Sequence, residues 1–367
     1  MAGRRNHAHT RPVSAHPLRI LFVGQTWRGA FAAGPYRALR RLGHTVCAVD
    51  EWDYVPVRWR SPARRAARRA LMPLFVRRLG EAIVSAAEAF RPELVLVIKG
   101  QYCDPGALWR LREMSVPCVN YYPDVSVFTH GPYLPRTLGL YDWIFTTKSF
   151  GPADLRRSLG IRRASFLPQG FCPELHRRVR LSPRDRRRCV CDVSFVGMWS
   201  PKKEATLAAL FERRRDLDVR IWGPRWDRTR HPGLRRWVQG RGVYAEEYVR
   251  TLCGARVNLA LLSEPVRGAS SGDRTTSRSY EIPACGGVMV HERTEEVRAL
   301  FEEGPEMACF DSADELADWI DFLLANGRAA GRMGHAAAAR SHRSGYSYDA
   351  RMGQALAWCR SNLLSRR

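Results

Sequence analysis

The stretch ELVLVIKGQYCDPGALWRLREMSVPCVNYYPD, residues 93–124, contains a complete strand–helix–strand unit. Its first segment, ELVLVIKG, is a short and almost uninterrupted apolar run, which is typical of a strand that is buried on both faces. A helix is predicted from Pro105 to about Met114, and a second strand, PCVNYYPD, follows it. Two strands that are joined through a helix lie parallel, so the stretch predicts an α/β fold with helices on both faces of a parallel sheet.

The same alternation of strands and helices continues on both sides of this unit. In the first half, strands are predicted at 18–24, 45–50 and 141–148 and helices at 29–44, 62–90 and 152–160. In the second half, strands are predicted at 191–197, 218–223, 256–262 and 287–292, with helices at 201–214, 245–254, 276–285 and four times beyond 293. The pattern therefore predicts two doubly wound, Rossmann-like domains whose strands end at a shared cleft.

Length supports the division into two domains, because a single hydrophobic core stops growing at roughly 250–300 residues and the chain has 367. The pattern breaks in CPELHRRVRLSPRDRRRCVC, which is polar, rich in arginine and without a period. We predict a disordered basic tail at 1–16, an N-terminal domain at 17–170, a linker at 171–187, a C-terminal domain at 188–345 and a last helix within 346–367 that crosses back to the N-terminal domain.

The composition is basic and nearly free of lysine. The formal net charge is +24, and 56 of the 60 basic residues are arginine, a ratio that partly reflects codon bias. A field of this sign attracts nucleotides, phosphorylated substrates, nucleic acid or an acidic membrane face. The charge alone therefore does not choose among these partners.

The ten cysteines include no Cys-x-x-Cys pair, and most lie in apolar segments, where a free thiol packs as a small hydrophobe. We expect neither disulfides nor a zinc site, and we expect the protein in the reducing cytoplasm. No apolar run reaches the ~18 residues of a membrane span. The polar N-terminus also lacks the apolar segment of a secretory signal.

The best candidate site is SSGDRTTSRSYEIPACGGVMV, residues 270–290, where a loop of small residues leads into a helix. We expect that helix to begin near Thr275 or Thr276. Its N-terminus would offer unpaired N–H groups to a phosphate. Arg274 and Arg278 are four residues apart, so on one helix they could hold a diphosphate together.

Glu281 adds a carboxylate to the same segment. A carboxylate can accept hydrogen bonds from both hydroxyls of a ribose, so Glu281 and the two arginines would complement a nucleotide diphosphate. The alternative is a solvated helix face that carries an Arg278–Glu281 ion pair. The residues by themselves leave both interpretations open.

Two further segments of the N-terminal domain follow strands and so lie at the mouth of the cleft. KGQY (99–102) carries Lys99, and NYYPDVSVFTHG (120–131) carries Asp124 and His130. If this site is catalytic, Asp124 or His130 is the candidate general base for a reaction in which a hydroxyl must lose its proton. A structural role for His130 is the alternative.

The basic stretch VRWRSPARRAARRALMPLFVRRLG (57–80) is the most concentrated positive segment of the chain. A basic amphipathic helix can lie on an anionic membrane, whereas the same arginines can also form a solvated face. Nucleic acid is a weaker alternative, since no stacking aromatic platform is interleaved with the arginines.

The chain also resembles a known family. The segments RTTSRSYEIPACGGVMVHE, LFEEGPEMACFDSADELADWIDFLL and GYSYDARM are similar to the C-terminal domain of the spore-maturation CgeB-like glycosyltransferases, and residues 93–124 are similar to their N-terminal domain. The resemblance covers roughly 18–360. It implies the GT-B fold, in which two Rossmann-like domains face a central cleft. The first domain would lie on the acceptor side, and the second would hold most of the nucleotide-sugar donor.

The resemblance also implies site roles. Glu281 matches the second glutamate of the Glu-x7-Glu pattern of retaining GT-B enzymes and would contact the donor ribose, while Asp273 stands at the position of the first and would contact the donor sugar. Lys202 and Lys203, which follow the strand that ends at Gly197, would bind the diphosphate together with the arginines. Gly223 would lie at the wall around the nucleotide base.

These observations predict a glycosyltransferase that moves a hexose-like sugar from a nucleotide diphosphate donor to an unknown acceptor. Retention is favoured over inversion, and neither a metal nor another cofactor is expected. The alternative is a non-catalytic binding or scaffold protein that keeps the fold and uses its basic face on nucleic acid or on an anionic membrane.

Overall fold

The computed structural model describes residues 16–59 and 61–365, so all but the last residue of the predicted basic tail lies outside the described residues. The strands are β1 Arg19–Val23, β2 Thr45–Val49, β3 Leu94–Ile98, β4 Cys118–Tyr122, β5 Trp143–Thr146, β6 Ala164–Phe166, β7 Cys191–Val196, β8 Val219–Trp222, β9 Ala255–Ala260, β10 Met289–Glu292 and β11 Ala308–Phe310. The α-helices are α1 Ala33–Arg41, α2 Pro62–Ala70, α3 Met72–Phe90, α4 Pro105–Glu113, α5 Tyr133–Thr137, α6 Gly151–Leu159, α7 Pro183–Cys189, α8 Pro201–Arg213, α9 Ala245–Gly254, α10 Arg278–Ala284, α11 Glu295–Leu300, α12 Ala313–Ala325, α13 Gly327–Arg343 and α14 Tyr348–Cys359.

The first six strands form one parallel sheet in the order β2-β1-β3-β4-β5-β6. Every residue of β3 is buried, as its uninterrupted apolar run predicts for a strand covered on both faces. The chain leaves β1 on one side for β2 and then returns to its other side for β3, so the strand order reverses between β1 and β3. In open α/β sheets, ligands bind beyond the carboxyl ends of the strands at such a reversal.

The remaining strands form a second parallel sheet in the order β11-β10-β9-β7-β8. Here the reversal lies between β7 and β9, and the buried Ser194 hydroxyl donates to the Asn258 side chain across these two strands at 2.7 Å. The predicted fold class, two doubly wound parallel α/β sheets, is confirmed. The short strand β11 was not predicted, because its apolar run has only three residues.

The segment between the two sheets is partly helical, which the sequence pattern does not indicate. The chain makes turns after β6 and then forms α7, which Ser182 caps by accepting a hydrogen bond from the Asp185 N–H at 3.1 Å. Residues 172–189 also contribute buried side chains, among them His176, to the region between the sheets. The assignment of residues 171–187 to a linker stays a prediction, and the structure adds that Pro183–Cys189 is helical.

The last helix, α14, packs on the first sheet. Met352 and Cys359 are fully buried in the same apolar cluster as Ile20 of β1 and Leu96 of β3. Asp349 at its start also pairs with Arg41 of α1. Residues from both ends of the chain thus share one core.

The basic stretch forms two helices where the sequence predicts one. The helix breaks at Leu71, two residues before Pro73, whose ring is tolerated in the first turn of α3 but destabilises the interior of a helix. The helix α2 buries none of its residues, and Leu71 and Leu74 beside it are 42% and 43% exposed. Among the described residues, no helix combines the length and apolar character that crossing a bilayer requires.

Candidate functional site

Two adjoining cavities lie between the sheets, at the carboxyl ends of the strands. The first, which we call the Glu281 cavity, has a volume of about 220 Å³ and the second, the Glu51 cavity, about 300 Å³. Phe31, which follows β1, and Ser277, which precedes α10, line both cavities. The two cavities therefore share a boundary, which is formed by a loop of the first domain and a loop of the second.

Glu281 projects from α10 into the first cavity, and its side chain is 15% exposed. Its Oε1 atom lies 3.8 Å from Nε2 of His176. The Nδ1 atom of that ring accepts a hydrogen bond from the Cys172 N–H at 3.1 Å, so Nε2 carries the proton of the neutral ring. Burial lowers the pKa of His176, although the charge of Glu281 opposes that effect. Glu281 is thus an accessible carboxylate beside a neutral imidazole.

Arg278 lines the same cavity and is fixed by the backbone. Its Nη1 donates to the carbonyl of Val196 at 3.1 Å and its Nη2 to the carbonyl of Leu261 at 2.6 Å. These carbonyls lie at the ends of β7 and β9, the two strands between which the order of the second sheet reverses. The described ion pairs do not include one between Arg278 and Glu281. The arginine therefore places a positive charge at the reversal and leaves Glu281 free.

The prediction that Arg274 and Arg278 lie on one helix is wrong. The helix α10 begins at Arg278, and Arg274 lies in the loop before it, so the two guanidinium groups share no helix face. Arg274 instead contacts Ser149 and Glu296, each at 3.4 Å, and lies over the ring of Phe150. Arg274 thus connects this loop to Ser149 and Phe150 of the first domain. The phosphate site at the N-terminus of α10, a helix of seven residues, stays a prediction.

Asp273 forms a buried ion pair between the two domains. Its Oδ1 lies 2.5 Å from Nζ of Lys148, which follows β5, and the two side chains are only 8% and 5% exposed. Its Oδ2 accepts a hydrogen bond from the Ser263 N–H at 3.2 Å. Asp273 lines neither cavity. The structure therefore separates Asp273 from Glu281, although the sequence pairs them.

The two lysines that follow β7 have different surroundings. Lys202 pairs with Glu292 and is 40% exposed. Lys203 is buried, and its Nζ donates to the Ser263 hydroxyl at 3.1 Å. Burial, helped by the charge of Arg278, lowers the pKa of Lys203 to about 8. Neither lysine lines the Glu281 cavity, but Lys203 contributes to the same electrostatic field as Arg278.

Gly197 and Gly223 lie against each other where β7 and β8 end. A Cβ atom on Gly223, whose φ is +145°, would stand 2.0 Å from the carbonyl oxygen of Gly197. The indole Nε1 of Trp226 donates to that same oxygen at 2.9 Å. Both glycines are therefore required by the close approach of two chain segments, and neither lines the Glu281 cavity.

Asp124 lines the second cavity and is paired with two basic side chains. Its Oδ2 lies 2.9 Å from Nζ of Lys99 and 3.2 Å from Nε2 of His130. Burial raises the pKa of Asp124, but the hydrogen bond from His130 and the charge of Lys99 outweigh it and hold that pKa well below its usual range. Lys99 itself has a φ of +64°, a left-handed conformation that costs a non-glycine residue free energy and is frequent at functional sites.

The sequence did not identify four residues that the structure places at the site. Glu51 is the second residue after β2, as Asp124 is the second residue after β4, so the same rule could have found it. Tyr248, on the inner face of α9, and His176, in the aperiodic segment, both line the Glu281 cavity, and Lys148 holds Asp273. No sequence signal distinguishes these three from ordinary core or surface residues. Within 16–59 and 61–365, no group of three His, Cys, Asp or Glu side chains is arranged to hold a metal ion.

Comparison with known families identifies a match in the second half of the chain. Residues 202–357 match the family described as glycosyl transferase-like. This range includes Lys202, Lys203 and the whole of α10. No curated protein sequence matches the chain significantly.

Solved structures match nearly the whole chain at low sequence identity. Sucrose-phosphate synthase from Thermosynechococcus elongatus has a TM-score of 0.66 and 15% identity, with 95% of this chain and 100% of that chain covered. A glycosyltransferase from Rickettsia africae has a TM-score of 0.62 and 11% identity, with 95% and 99% covered. Anabaena HepE in complex with UDP and glucose has a TM-score of 0.59 and 13% identity, with 94% and 100% covered. The fold of this protein is therefore that of the GT-B glycosyltransferases.

Proposed function

We propose that the protein is a glycosyltransferase that takes a hexose-like sugar from a nucleoside diphosphate donor. The observation that carries the proposal is Glu281, an accessible carboxylate in a cavity at the strand-order reversal of the second sheet, beside the fixed charge of Arg278. Ligands of open α/β sheets bind at this position. The family match over residues 202–357 and the UDP and glucose bound by the similar HepE support the same function.

In the proposed complex, Glu281 accepts hydrogen bonds from the ribose hydroxyls, and the diphosphate lies toward Arg278. Lys203 is close enough to Arg278 for their charges to interact, and Lys202 forms an ion pair with Glu292. The sugar then points to the boundary between the two cavities, where Phe31 and Ser277 line both.

Asp273 and Arg274 act on the donor indirectly in this proposal. Both oxygens of Asp273 are engaged, one by Lys148 and one by the Ser263 N–H, so the residue fixes the loop that leads into α10. Arg274 holds the other side of that loop against Ser149 of the first domain.

We infer a retaining reaction that needs no metal. The acceptor oxygen forms a bond to the anomeric carbon on the face from which the diphosphate leaves, the bond to the diphosphate oxygen breaks, and the acceptor proton passes to that leaving oxygen. Arg278 and Lys203 stabilise the charge that develops on the diphosphate. Asp124 is a poor general base, because an effective base has a pKa near the working pH and that of Asp124 is far lower.

Nucleotide binding tests the proposal directly. Purified protein is mixed with UDP, GDP and ADP in turn, and binding is followed by thermal shift and by saturation-transfer NMR. One of the three should bind and raise Tm, and Glu281→Ala should abolish that effect while the variant stays folded. Glu88→Ala, a substitution of an exposed carboxylate on α3, is the matched control. Absence of binding by all three nucleotides would contradict the proposal. If one nucleotide binds, a screen of its sugar conjugates for donor hydrolysis identifies the sugar.

A second candidate function rests on α2. This helix buries none of its residues, has four arginines and no acidic residue, and is followed by the exposed Leu71 and Leu74. A non-catalytic protein with this surface would bind RNA or vesicles of anionic lipid in a salt-dependent manner without binding nucleotides. Peripheral membrane contact through residues 57–80 is also compatible with the enzyme, and vesicle sedimentation together with the nucleotide assay distinguishes the two functions.

A further inference from the structure

Two cysteines of the second domain lie together at the ends of two helices that line the Glu281 cavity. Cys253 is the last residue but one of α9, which carries Tyr248, and Cys285 directly follows α10, which carries Glu281. The Cys253 thiol donates to the carbonyl oxygen of Cys285, with its Sγ atom at 3.7 Å. Both thiols are free, Cys285 is fully buried and Cys253 is half-buried. The pair therefore connects the two helices, and one of its members is accessible from the surface.

The surroundings of the Cys253 sulfur favour its thiolate form. The Cys285 thiol and the Val179 N–H donate hydrogen bonds to it, and the positive charge of Arg178 lies nearby. Arg178 packs beside the turn after α10, where its Cδ would stand 3.6 Å from a Cβ atom on Gly286. These groups outweigh burial and lower the pKa of Cys253 to about 7. About half of this side chain is therefore thiolate at neutral pH, and the thiolate is the form that reacts with oxidants.

Other cysteines of the described chain have the opposite surroundings. Burial raises the pKa of Cys103 and of Cys359 to about 12, so these thiols stay protonated at neutral pH. Burial also raises the pKa of Cys285, and the hydrogen bond to Cys253 adds to that effect. A partly exposed cysteine with a low pKa beside a second, protonated thiol is the arrangement of redox-sensitive sites, in which the second thiol resolves the first oxidation product.

We propose that Cys253 and Cys285 form a redox-sensitive pair, in which hydrogen peroxide oxidises Cys253 and Cys285 then closes a disulfide between the ends of α9 and α10. In the first step, the Cys253 thiolate attacks one oxygen of the peroxide. The S–O bond forms, the O–O bond breaks and the leaving hydroxide takes up a proton, so the sulfur is oxidised to a sulfenic acid and the peroxide is reduced to water. In the second step, the Cys285 sulfur attacks that of Cys253. The S–S bond forms, the S–O bond breaks and the hydroxide leaves as water with the Cys285 proton.

The disulfide would act on the Glu281 cavity through the backbone of α10. The Cys285 N–H donates to the carbonyl of Glu281 at 3.1 Å, so the two residues move together. A disulfide holds its sulfur atoms about 2.05 Å apart, much closer than a thiol hydrogen bond does. Closing it therefore draws the end of α10 toward α9 and displaces Glu281. The chemistry of the thiols does not depend on the proposed function, whereas this effect on nucleotide binding rests on it.

Peptide mapping by mass spectrometry tests the pair in the full chain. The protein is reduced with dithiothreitol, freed of the reductant and treated with hydrogen peroxide. A disulfide between the peptides of Cys253 and Cys285 should form, and dithiothreitol should reverse it. In Cys285→Ala, dimedone should instead trap a sulfenic acid at Cys253. Cys47→Ser, which removes a half-buried thiol of the first domain, is the matched control and should leave the disulfide unchanged.

Titration with a nucleotide measures the effect on the cavity, and the probe is whichever of UDP, GDP and ADP binds the reduced protein. Oxidation of the wild type should weaken its binding about fivefold or more, as expected when hydrogen bonds to Glu281 are misaligned. Dithiothreitol should restore the affinity. Cys253→Ser should bind as the reduced wild type does and should not respond to peroxide, which keeps the proposal testable if Cys285→Ala does not fold.

The outcomes distinguish this inference from the proposed function. If peroxide leaves both thiols free, or if it oxidises Cys47 before Cys253, the redox pair is overturned. If the disulfide forms without changing the nucleotide affinity, its control of the Glu281 cavity is overturned and the oxidation site is confirmed. If no nucleotide binds the reduced protein, the donor proposal fails, and the peptide map decides on the redox pair independently.

Discussion

Asp273 and Glu281 lie eight positions apart, and the sequence assigns them to one donor site. The structure gives them opposite surroundings. Asp273 is buried in an ion pair with Lys148, and its second oxygen accepts a backbone N–H. Glu281 faces a cavity, and the basic side chain paired with it is the neutral His176, at 3.8 Å. One carboxylate holds two domains together, and the other remains available to a ligand.

The difference shows how a short loop can separate two functions. The loop between Ser263 and α10 is attached to the first domain at several points: the Ser126 hydroxyl donates to the Arg267 carbonyl, and the Ser270 N–H donates to Asp154. These contacts fix the loop before the helix begins. Asp273 lies on the attached part and Glu281 on the helix, so we expect substitutions of the first to affect stability and those of the second to affect binding.

The largest effect is expected for Asp273→Asn, which leaves the Lys148 ammonium buried without a counter-charge. Removing one partner of a buried ion pair typically costs about 3–5 kcal/mol of unfolding free energy. Urea denaturation measures this cost. In the double variant with Lys148→Met, much of the loss should be recovered, since an apolar pair replaces the buried charges. A stability equal to that of wild type in the single variant would show that the pair does not hold the domains.

Glu281→Gln should have the opposite profile. The unfolding free energy should change by no more than about 0.5 kcal/mol, because the side chain stays in place and no ion pair closer than 3.8 Å is lost. The binding free energy of the nucleotide should become less favourable by about 1.5–3 kcal/mol, as expected when hydrogen bonds to a charged group are lost. Isothermal titration with the bound nucleotide measures it. If Glu281→Gln lowers the unfolding free energy but leaves the nucleotide affinity unchanged, Glu281 is structural and does not bind the donor.

A pH dependence is expected from Lys203, whose pKa burial lowers to about 8. The charged groups that affect it are Arg278, Asp273, Glu264 and Glu292. A diphosphate binds the protonated lysine better, so affinity should be highest below pH 8 and should fall as pH rises through 8. We expect about a tenfold loss between pH 7 and 9.5. Lys203→Met should bind more weakly at pH 7 and lose this dependence, and an unchanged pH profile would remove Lys203 from the diphosphate site.

The smallest effect is expected for Arg274→Ala. Its guanidinium is about half exposed and its contacts with Glu296 and Ser149 are 3.4 Å long, so the cost should be within about 1 kcal/mol of unfolding free energy. Nucleotide affinity should change by less than twofold. Arg278→Lys is the comparison variant, and its nucleotide affinity should fall more than that of Arg274→Ala. A lysine cannot donate to both backbone carbonyls that hold Arg278 in place. A large loss of nucleotide affinity in Arg274→Ala would support the sequence-based prediction that Arg274 and Arg278 hold the diphosphate together.

Most of the fold could be predicted from the sequence because buried parallel strands and amphipathic helices have distinct periods. The strand β3 is an example, since every one of its residues is apolar and buried. The predictions fail where local signals are weak or opposed. The helix α7 has seven residues, mostly charged, and begins at a serine cap and Pro183, and α2 and α3 are separated at Pro73 within one continuous basic run.

Less of the site could be predicted. Glu281 and Arg278 were identified and do line one cavity, and Asp124 lines the other. Gly197 and Gly223 follow strands as predicted and lie against each other, and their roles toward a ligand stay predictions. His176 could not be found, because its position depends on the path of a segment without a period.

The amino-acid sequence by itself determined the two parallel sheets, the cleft at the carboxyl ends of their strands and the presence of carboxylates and cations beside it. These properties depend on local patterns of apolar and polar residues, which are present in the linear chain. Only the tertiary structure decided that Asp273 meets Lys148 and that Glu281 faces a cavity. The electrostatic environment of a carboxylate depends on residues far away in sequence, which come within a few ångströms of it only after the sheets have packed together.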